Sequence, residues 1–99
     1  MAEKKYYVLK LLPPRPTFAF DMNDEERAVM QKHIAYWAEY LQKGIAVVYG
    51  PVNDPKGPYG IGIVEVDSEE DVKQLIANDP AAKINTYDVA PMFRAILRK

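Results

Sequence analysis

The chain has 99 residues and a formal net charge of -1, with 48% apolar and 27% charged residues. This composition is typical of one folded domain, and it excludes a disordered chain and the basic balance of a nucleic-acid-binding protein. Because there is no cysteine, disulfides, thiolate metal sites and cysteine nucleophiles are excluded as well. No apolar run approaches the roughly 20 residues of a membrane span. We expect one cytoplasmic domain over residues 1–99, with no nucleic-acid or membrane partner.

The first half of the chain predicts a strand, a loop and a long helix. Residues 6–12 form an apolar, β-prone run that prolines end. Asn23 opens the helix with Glu26 in a capping-box arrangement, and the helix runs to Lys43. Its predicted buried face has the i, i+3, i+4, i+7 spacing: Met30, His33, Ile34, Trp37 and Leu41.

Two further strands follow, joined by a turn-rich loop. The strands are predicted at residues 45–49 and 59–66, and the loop at residues 50–58 contains three prolines and two glycines. Gly60 and Gly62 share one face of the later strand. Glycine weakens a strand interior, so this pair indicates close approach by another backbone or by a ligand.

The rest of the chain predicts a second helix and a last strand. Asp67 is the expected cap, with Glu70 at the capping-box position, and the helix ends near Asn78. A strand near residues 84–90 completes a βαββαβ order, which predicts an α+β, ferredoxin-like fold. Two helices would cover one face of a four-stranded antiparallel sheet. Its other face would expose large apolar residues, so we expect a homodimer that pairs through this face.

One histidine and one aspartate are the main candidates for chemistry. His33 is the only histidine and lies on the predicted buried face of the first helix. An imidazole suits general acid/base work, but the commoner alternative is a core histidine that donates to a backbone carbonyl. Asp79 follows the second helix, and its carboxylate could accept the second N–H of the imidazole. The alternative is an aspartate that only ends the helix before Pro80.

Other residues could form a pocket around this pair. Arg15 could hold a carboxylate or phenolate with its bidentate fork, or pair with an acidic residue of the first helix. Phe18 and Trp37 would supply apolar walls, and the loop that starts at Gly50 and Pro51 would supply a rim. No residue cluster has metal-ligand spacing, and we expect neither a metal nor an organic cofactor.

Short motifs follow one another along nearly the whole chain. They are Arg15-Pro16 with Phe18, then Met30, His33 and Tyr36 in the first helix, Gly44, Gly50-Pro51-Val52, Asp79-Pro80, and Tyr87 before Pro91-Met92. Their order and spacing resemble the YciI-like (YCII-related) family of dimeric α+β barrel proteins.

This resemblance implies ferredoxin-like protomers paired through their sheets and an active site with a His–Asp pair at His33 and Asp79. It also places Arg15 in the pocket. One characterised member is a dehydrochlorinase of a chlorinated hydroxyhydroquinone. We therefore predict a small-molecule enzyme whose reaction is a proton abstraction, an elimination or an isomerisation. His33 would be the general acid/base, and Asp79 would orient it. The alternatives are a non-catalytic ligand-binding or accessory homodimer, or a dimerisation module without a pocket.

Overall fold

The protein folds around one four-stranded antiparallel sheet. The structure is a computed structural model and describes residues 3–98. A 3₁₀ turn, Pro80–Lys83, precedes the last strand. The elements in chain order are β1 (Lys5–Leu12), α1 (Phe18–Asp21), α2 (Asp24–Gln42), β2 (Ala46–Val52), β3 (Tyr59–Val66), α3 (Glu69–Ala77) and β4 (Thr86–Pro91).

The strand order is β2-β3-β1-β4, and every neighbouring pair is antiparallel. The central strand β1 pairs with β3 on one side and with β4 on the other, so Leu9 lies opposite both Gly62 and Val89. This topology confirms the predicted α+β, ferredoxin-like fold.

The core lies between the sheet and the two longer helices. Leu9 and Val64 from the sheet pack in one buried cluster with Trp37 of α2 and with Val72 and Leu75 of α3. Full burial of each such side chain contributes roughly 1.5–3 kcal/mol relative to exposure. Both helices therefore cover the same face of the sheet.

The buried face of α2 is rotated relative to the prediction. Tyr36 and Tyr40 pack against the core beside Trp37, whereas Ile34 is 55% exposed and Leu41 is 44% exposed. At about 100° per residue, a face that includes both tyrosines leaves Ile34 and Leu41 at its edge. The assignment of these two residues to the core was therefore wrong.

The helix caps agree with the prediction at one helix and differ at the other. Asn23 and Glu26 form the predicted capping box at the start of α2. At α3 the cap is Ser68, whose hydroxyl accepts from the backbone N–H of Asp71. The predicted cap, Asp67, instead forms an exposed ion pair with Lys4. Ser68 is the cap because its backbone is extended and because its backbone N–H in turn donates to the carboxylate of Asp71, the third residue of the helix.

Several helix and strand boundaries also differ from the predicted ones. The segment before α2, predicted as a loop, contains the short helix α1. Strand β2 continues through Gly50 and Pro51 to Val52, so these residues belong to a strand and the connecting loop is shorter than predicted. Strand β4 starts at Thr86, because Ile84 and Asn85 close the 3₁₀ turn onto Ala81.

The face of the sheet opposite the helices is open and carries apolar residues together with the charged residues Lys10, Glu65 and Asp88. Val8, Ile61 and Ile63 lie on it, partly exposed, and Val48 is 50% exposed. Within the described residues, no helix is long and apolar enough to cross a membrane.

Candidate active site

A cavity of about 240 Å³ lies between the sheet and α2, on the face that the helices cover. Strands β1, β2, β3 and β4 form its floor, and α1 and α2 form its sides. Phe18, His33, Trp37, Gly50 and Pro51 all lie in its lining. The sequence predicted seven site residues, and these five line the cavity. The other two are Arg15 and Asp79.

The cavity exists because β3 changes side-chain size along one face. Val66 and Val64 point towards the helices and are buried in the core. Gly62 and Gly60 occupy the next two positions on that face, and both line the cavity. Without side chains at these positions the space between sheet and helix stays open.

His33 and Asp79 are in contact beneath this cavity. The imidazole Nδ1 lies 2.9 Å from Oδ2 and 3.0 Å from Oδ1 of the carboxylate. The side chain of His33 is only 14% exposed, and that of Asp79 is fully buried. The two residues are 46 positions apart in the chain, so the fold alone creates this pair.

The end of α3 and the 3₁₀ turn hold Asp79 in place. Asp79 is the N-cap of that turn, and its Oδ1 accepts from the backbone N–H of Ala81 at 2.9 Å. Pro80 suits the first position of the turn, because proline has no N–H to satisfy there. Oδ2 accepts from the indole N–H of Trp37 at 2.9 Å and from the hydroxyl of Tyr87. Three donors thus fix the carboxylate in addition to His33.

These contacts keep Asp79 ionised. Burial alone would raise the pKa of Asp79, but the hydrogen bonds from His33, Tyr87, Trp37 and the Ala81 amide outweigh it, and the pKa is lowered. The pKa of Tyr87 is raised, chiefly by burial and then by its bond to the Asp79 carboxylate, so Tyr87 remains a neutral donor.

An ionised carboxylate only accepts hydrogen bonds, so Nδ1 of His33 carries a proton. In the neutral imidazole, Nε2 then has the free lone pair. Nε2 has no hydrogen-bond partner within residues 3–98, and this part of the chain has no buried side-chain nitrogen or oxygen without a partner. Nε2 is therefore accessible and is available to a ligand as a base.

Arg15 lies outside the cavity lining, and its side chain pairs with acidic residues. Its guanidinium makes two hydrogen bonds of 2.9 Å to the carboxylate of Glu26 and one of 2.9 Å to Asp21. The hydrogen bonds from Arg15 and from the backbone of Asn23 lower the pKa of Glu26 to about 2. Since two carboxylates occupy its fork, Arg15 ties α1 to the start of α2, the second alternative that the sequence allowed.

The structure also shows contacts at this site that the sequence did not predict. Tyr87 appeared only as a matching position in the resemblance, yet its hydroxyl contacts Asp79. Trp37 was expected to form only a wall, but it also donates to the carboxylate. Asn85 lies in the lining, where its amide donates to the carbonyl of Ala81 at 3.1 Å. Neither the spacing nor the residue types gave a signal for these contacts.

The residues of the described chain do not form a recognisable metal site. Within residues 3–98, no group of three or more histidine, cysteine or acidic side chains is arranged to hold a metal ion.

Comparison with known proteins identifies the family. The model of the YCII-related domain matches residues 6–96, which is nearly the whole chain. A search of curated proteins finds no match. The chain therefore belongs to the YCII-related domain family.

Proposed function

From this membership and the site, we propose that the protein is a small-molecule enzyme with a His33–Asp79 acid/base pair. One observation carries the proposal: a buried carboxylate fixes Nδ1 of a histidine whose Nε2 is free at a cavity. A structural histidine would be expected to use both ring nitrogens within the core or to face solvent. This histidine has one nitrogen held and the other available, as a general base requires.

The supported reaction is abstraction of a proton from a bound molecule. Nε2 accepts the proton of an acidic C–H or O–H, and the electron pair of that bond stays on the substrate. Asp79 stabilises the resulting imidazolium through Nδ1. The proton then returns to another atom in an isomerisation, or the electron pair expels a leaving group in an elimination.

Solvent exchange tests this step without the natural substrate. Small cyclic ketones with acidic C–H bonds are incubated with the protein in D₂O, and loss of their proton NMR signals is followed. A base that removes a proton and returns a deuteron catalyses this exchange. We expect exchange with the wild type and its loss in His33→Ala, whereas Lys32→Ala, an exposed neighbour on α2, keeps it.

Exchange that persists in His33→Ala would overturn the proposal. A ketone that binds without any exchange in the wild type would instead favour the alternative function, a ligand-binding protein. Asp79→Asn should reduce the exchange rate by about 10²- to 10⁴-fold, because it removes the charge that stabilises the imidazolium.

We also propose that the open face of the sheet packs against the same face of a second copy. Val8, Ile61 and Ile63 form an apolar surface there, and the resemblance implied pairing through sheets. A monomer would expose this surface to water. Light scattering should give twice the chain mass of 11.3 kDa, and Ile63→Lys should give the single mass. Ala28→Lys, on the exposed side of α2, serves as the control. A monomeric wild type would refute the pairing.

A further inference from the structure

We propose that the cavity takes an uncharged, largely apolar molecule of about ten non-hydrogen atoms, which lies on Gly60 and Gly62 with one polar group at Nε2 of His33. This deepens the proposed function, and only the position of the polar group rests on it. The size and charge of the ligand follow from the cavity itself.

The lining carries no permanent charge. Among the described residues, no lysine, arginine, aspartate or glutamate lines the cavity. Arg15, the cation that the sequence predicted for the pocket, is outside the lining and is bound to Asp21 and Glu26. The Asp79 carboxylate is covered by its four donors. A carboxylate or phosphate ligand would lose its hydration without a neutralising partner, so the cavity disfavours anions.

Few polar groups remain for a ligand. The indole N–H of Trp37 and the hydroxyl of Tyr87 are already bonded to Asp79. The hydroxyl of Tyr49 lies 3.5 Å from the backbone carbonyl of Ile34. Nε2 of His33 and the side-chain oxygen of Asn85, whose NH₂ is bonded to the carbonyl of Ala81, are thus the side-chain polar atoms of the lining named here that stay free for a ligand. Sites with this character select apolar ligands and orient them through a small number of polar contacts.

The volume indicates the size of the ligand portion that the cavity can enclose. An apolar cavity of about 150 Å³ accommodates benzene, which has six non-hydrogen atoms. At the same volume per atom, the present cavity of about 240 Å³ holds about ten. One ring with a few substituents fits this space.

Gly62 is the specificity-determining position that can be tested most cleanly. A Cβ at Gly62 would lie 3.7 Å from the Cβ of Tyr49 and 3.8 Å from the carbonyl oxygen of Val48, which is ordinary contact. A Cβ at Gly60 would come within 3.2 Å of the Cβ of Leu11, which is tight. Valine at position 62 would therefore fit the strand, and its methyl groups would fill the cavity floor.

The experiment compares methyl benzoate with benzoate, since both carry one ring and differ mainly in charge. Trp37 is the only tryptophan and lies in the lining, so its fluorescence reports binding. Titrations are made at a pH of about 8.5, above the ordinary histidine range. We expect methyl benzoate to bind at least about tenfold more tightly than benzoate, and Gly62→Val to weaken it by at least about tenfold.

Gly62→Ala gives an intermediate loss and covers the case in which Gly62→Val does not fold. Thr86→Val, an apolar substitution in β4 outside the cavity, leaves the affinity unchanged. Equal or tighter binding of benzoate would overturn the charge assignment. Binding that is unaffected by both Gly62 variants would overturn the assignment of the site.

These results are independent of proton exchange. If methyl benzoate binds as expected and ketone exchange persists in His33→Ala, the proposed reaction fails while the ligand class stands. If exchange depends on His33 but benzoate binds better than its ester, the ligand class fails and the reaction stands.

Discussion

Replacement of Asp79 by asparagine should destabilise the fold as well as the site. The carboxylate accepts from four groups: His33, Trp37, Tyr87 and the Ala81 amide. An asparagine keeps one oxygen and puts an NH₂ donor where the other oxygen was. If the NH₂ replaces Oδ2, it faces the indole N–H of Trp37. If it replaces Oδ1, it faces the amide of Ala81.

Either orientation leaves at least one buried N–H without a good acceptor and removes the charge from the remaining bonds. The loss of one charge-assisted hydrogen bond together with the unsatisfied donor costs about 2–4 kcal/mol. For a chain of this length such a loss lowers the melting temperature by roughly 10–25 °C. The fluorescence of Trp37 follows unfolding directly, because it is the only tryptophan.

The effect should depend on pH with a defined sign. Since folding lowers the pKa of Asp79, its contribution to stability is fully present above the unfolded pKa of about 3.9 and is lost as the pH falls through the folded value. The difference between wild type and Asp79→Asn should therefore shrink below a pH of about 4. Asp24→Asn, at an exposed carboxylate that pairs with the exposed Arg27, is the control and should move the transition far less. If Asp79→Asn lowers the free energy of unfolding by less than about 0.5 kcal/mol, the four hydrogen bonds of Asp79 do not stabilise the fold as described.

Two further predictions concern the helix starts. Ser68→Ala should lower the free energy of unfolding, measured by chemical denaturation, by about 1 kcal/mol, because Ser68 forms the capping box with Asp71. Asp67→Ala should lower it clearly less, and the reverse order would mean that Asp67 is the cap. Glu26→Gln should lower the melting temperature, because it breaks the bidentate pair with Arg15. This difference in melting temperature should be complete above the ordinary glutamate pKa of 4.5 and vanish as the pH falls through about 2. A difference that does not depend on pH would contradict the ion pair.

The features that local sequence determines were predictable. The capping box at Asn23, the long helix α2 and strand β3 follow from spacing and residue type, and the structure confirms them. The order of elements then fixed the topology, since few arrangements of βαββαβ bury one face of the sheet. The glycines at positions 60 and 62 were also a usable signal, because two glycines in one strand need a reason.

The features that depend on distant contacts were not predictable in the same way. The partner of Arg15 was one of two alternatives until the fold brought Glu26 to it. The contact of Tyr87 with Asp79 depends on the register of β4 against β1 and on the turn before it. The cap at Ser68 was missed because two adjacent residues both offer a side-chain oxygen with an acidic residue three positions later.

The most direct test of the central claim is the tautomer of His33. Its two ring nitrogens can be distinguished by ¹⁵N NMR, and the native chain contains no other histidine. At a pH of about 8.5, where an ordinary imidazole is neutral, Nδ1 should carry the proton and Nε2 should be unprotonated, because the Asp79 carboxylate can only accept. A proton on Nε2 instead would mean that Asp79 does not hold Nδ1, and it would contradict both the pair and its use as a base.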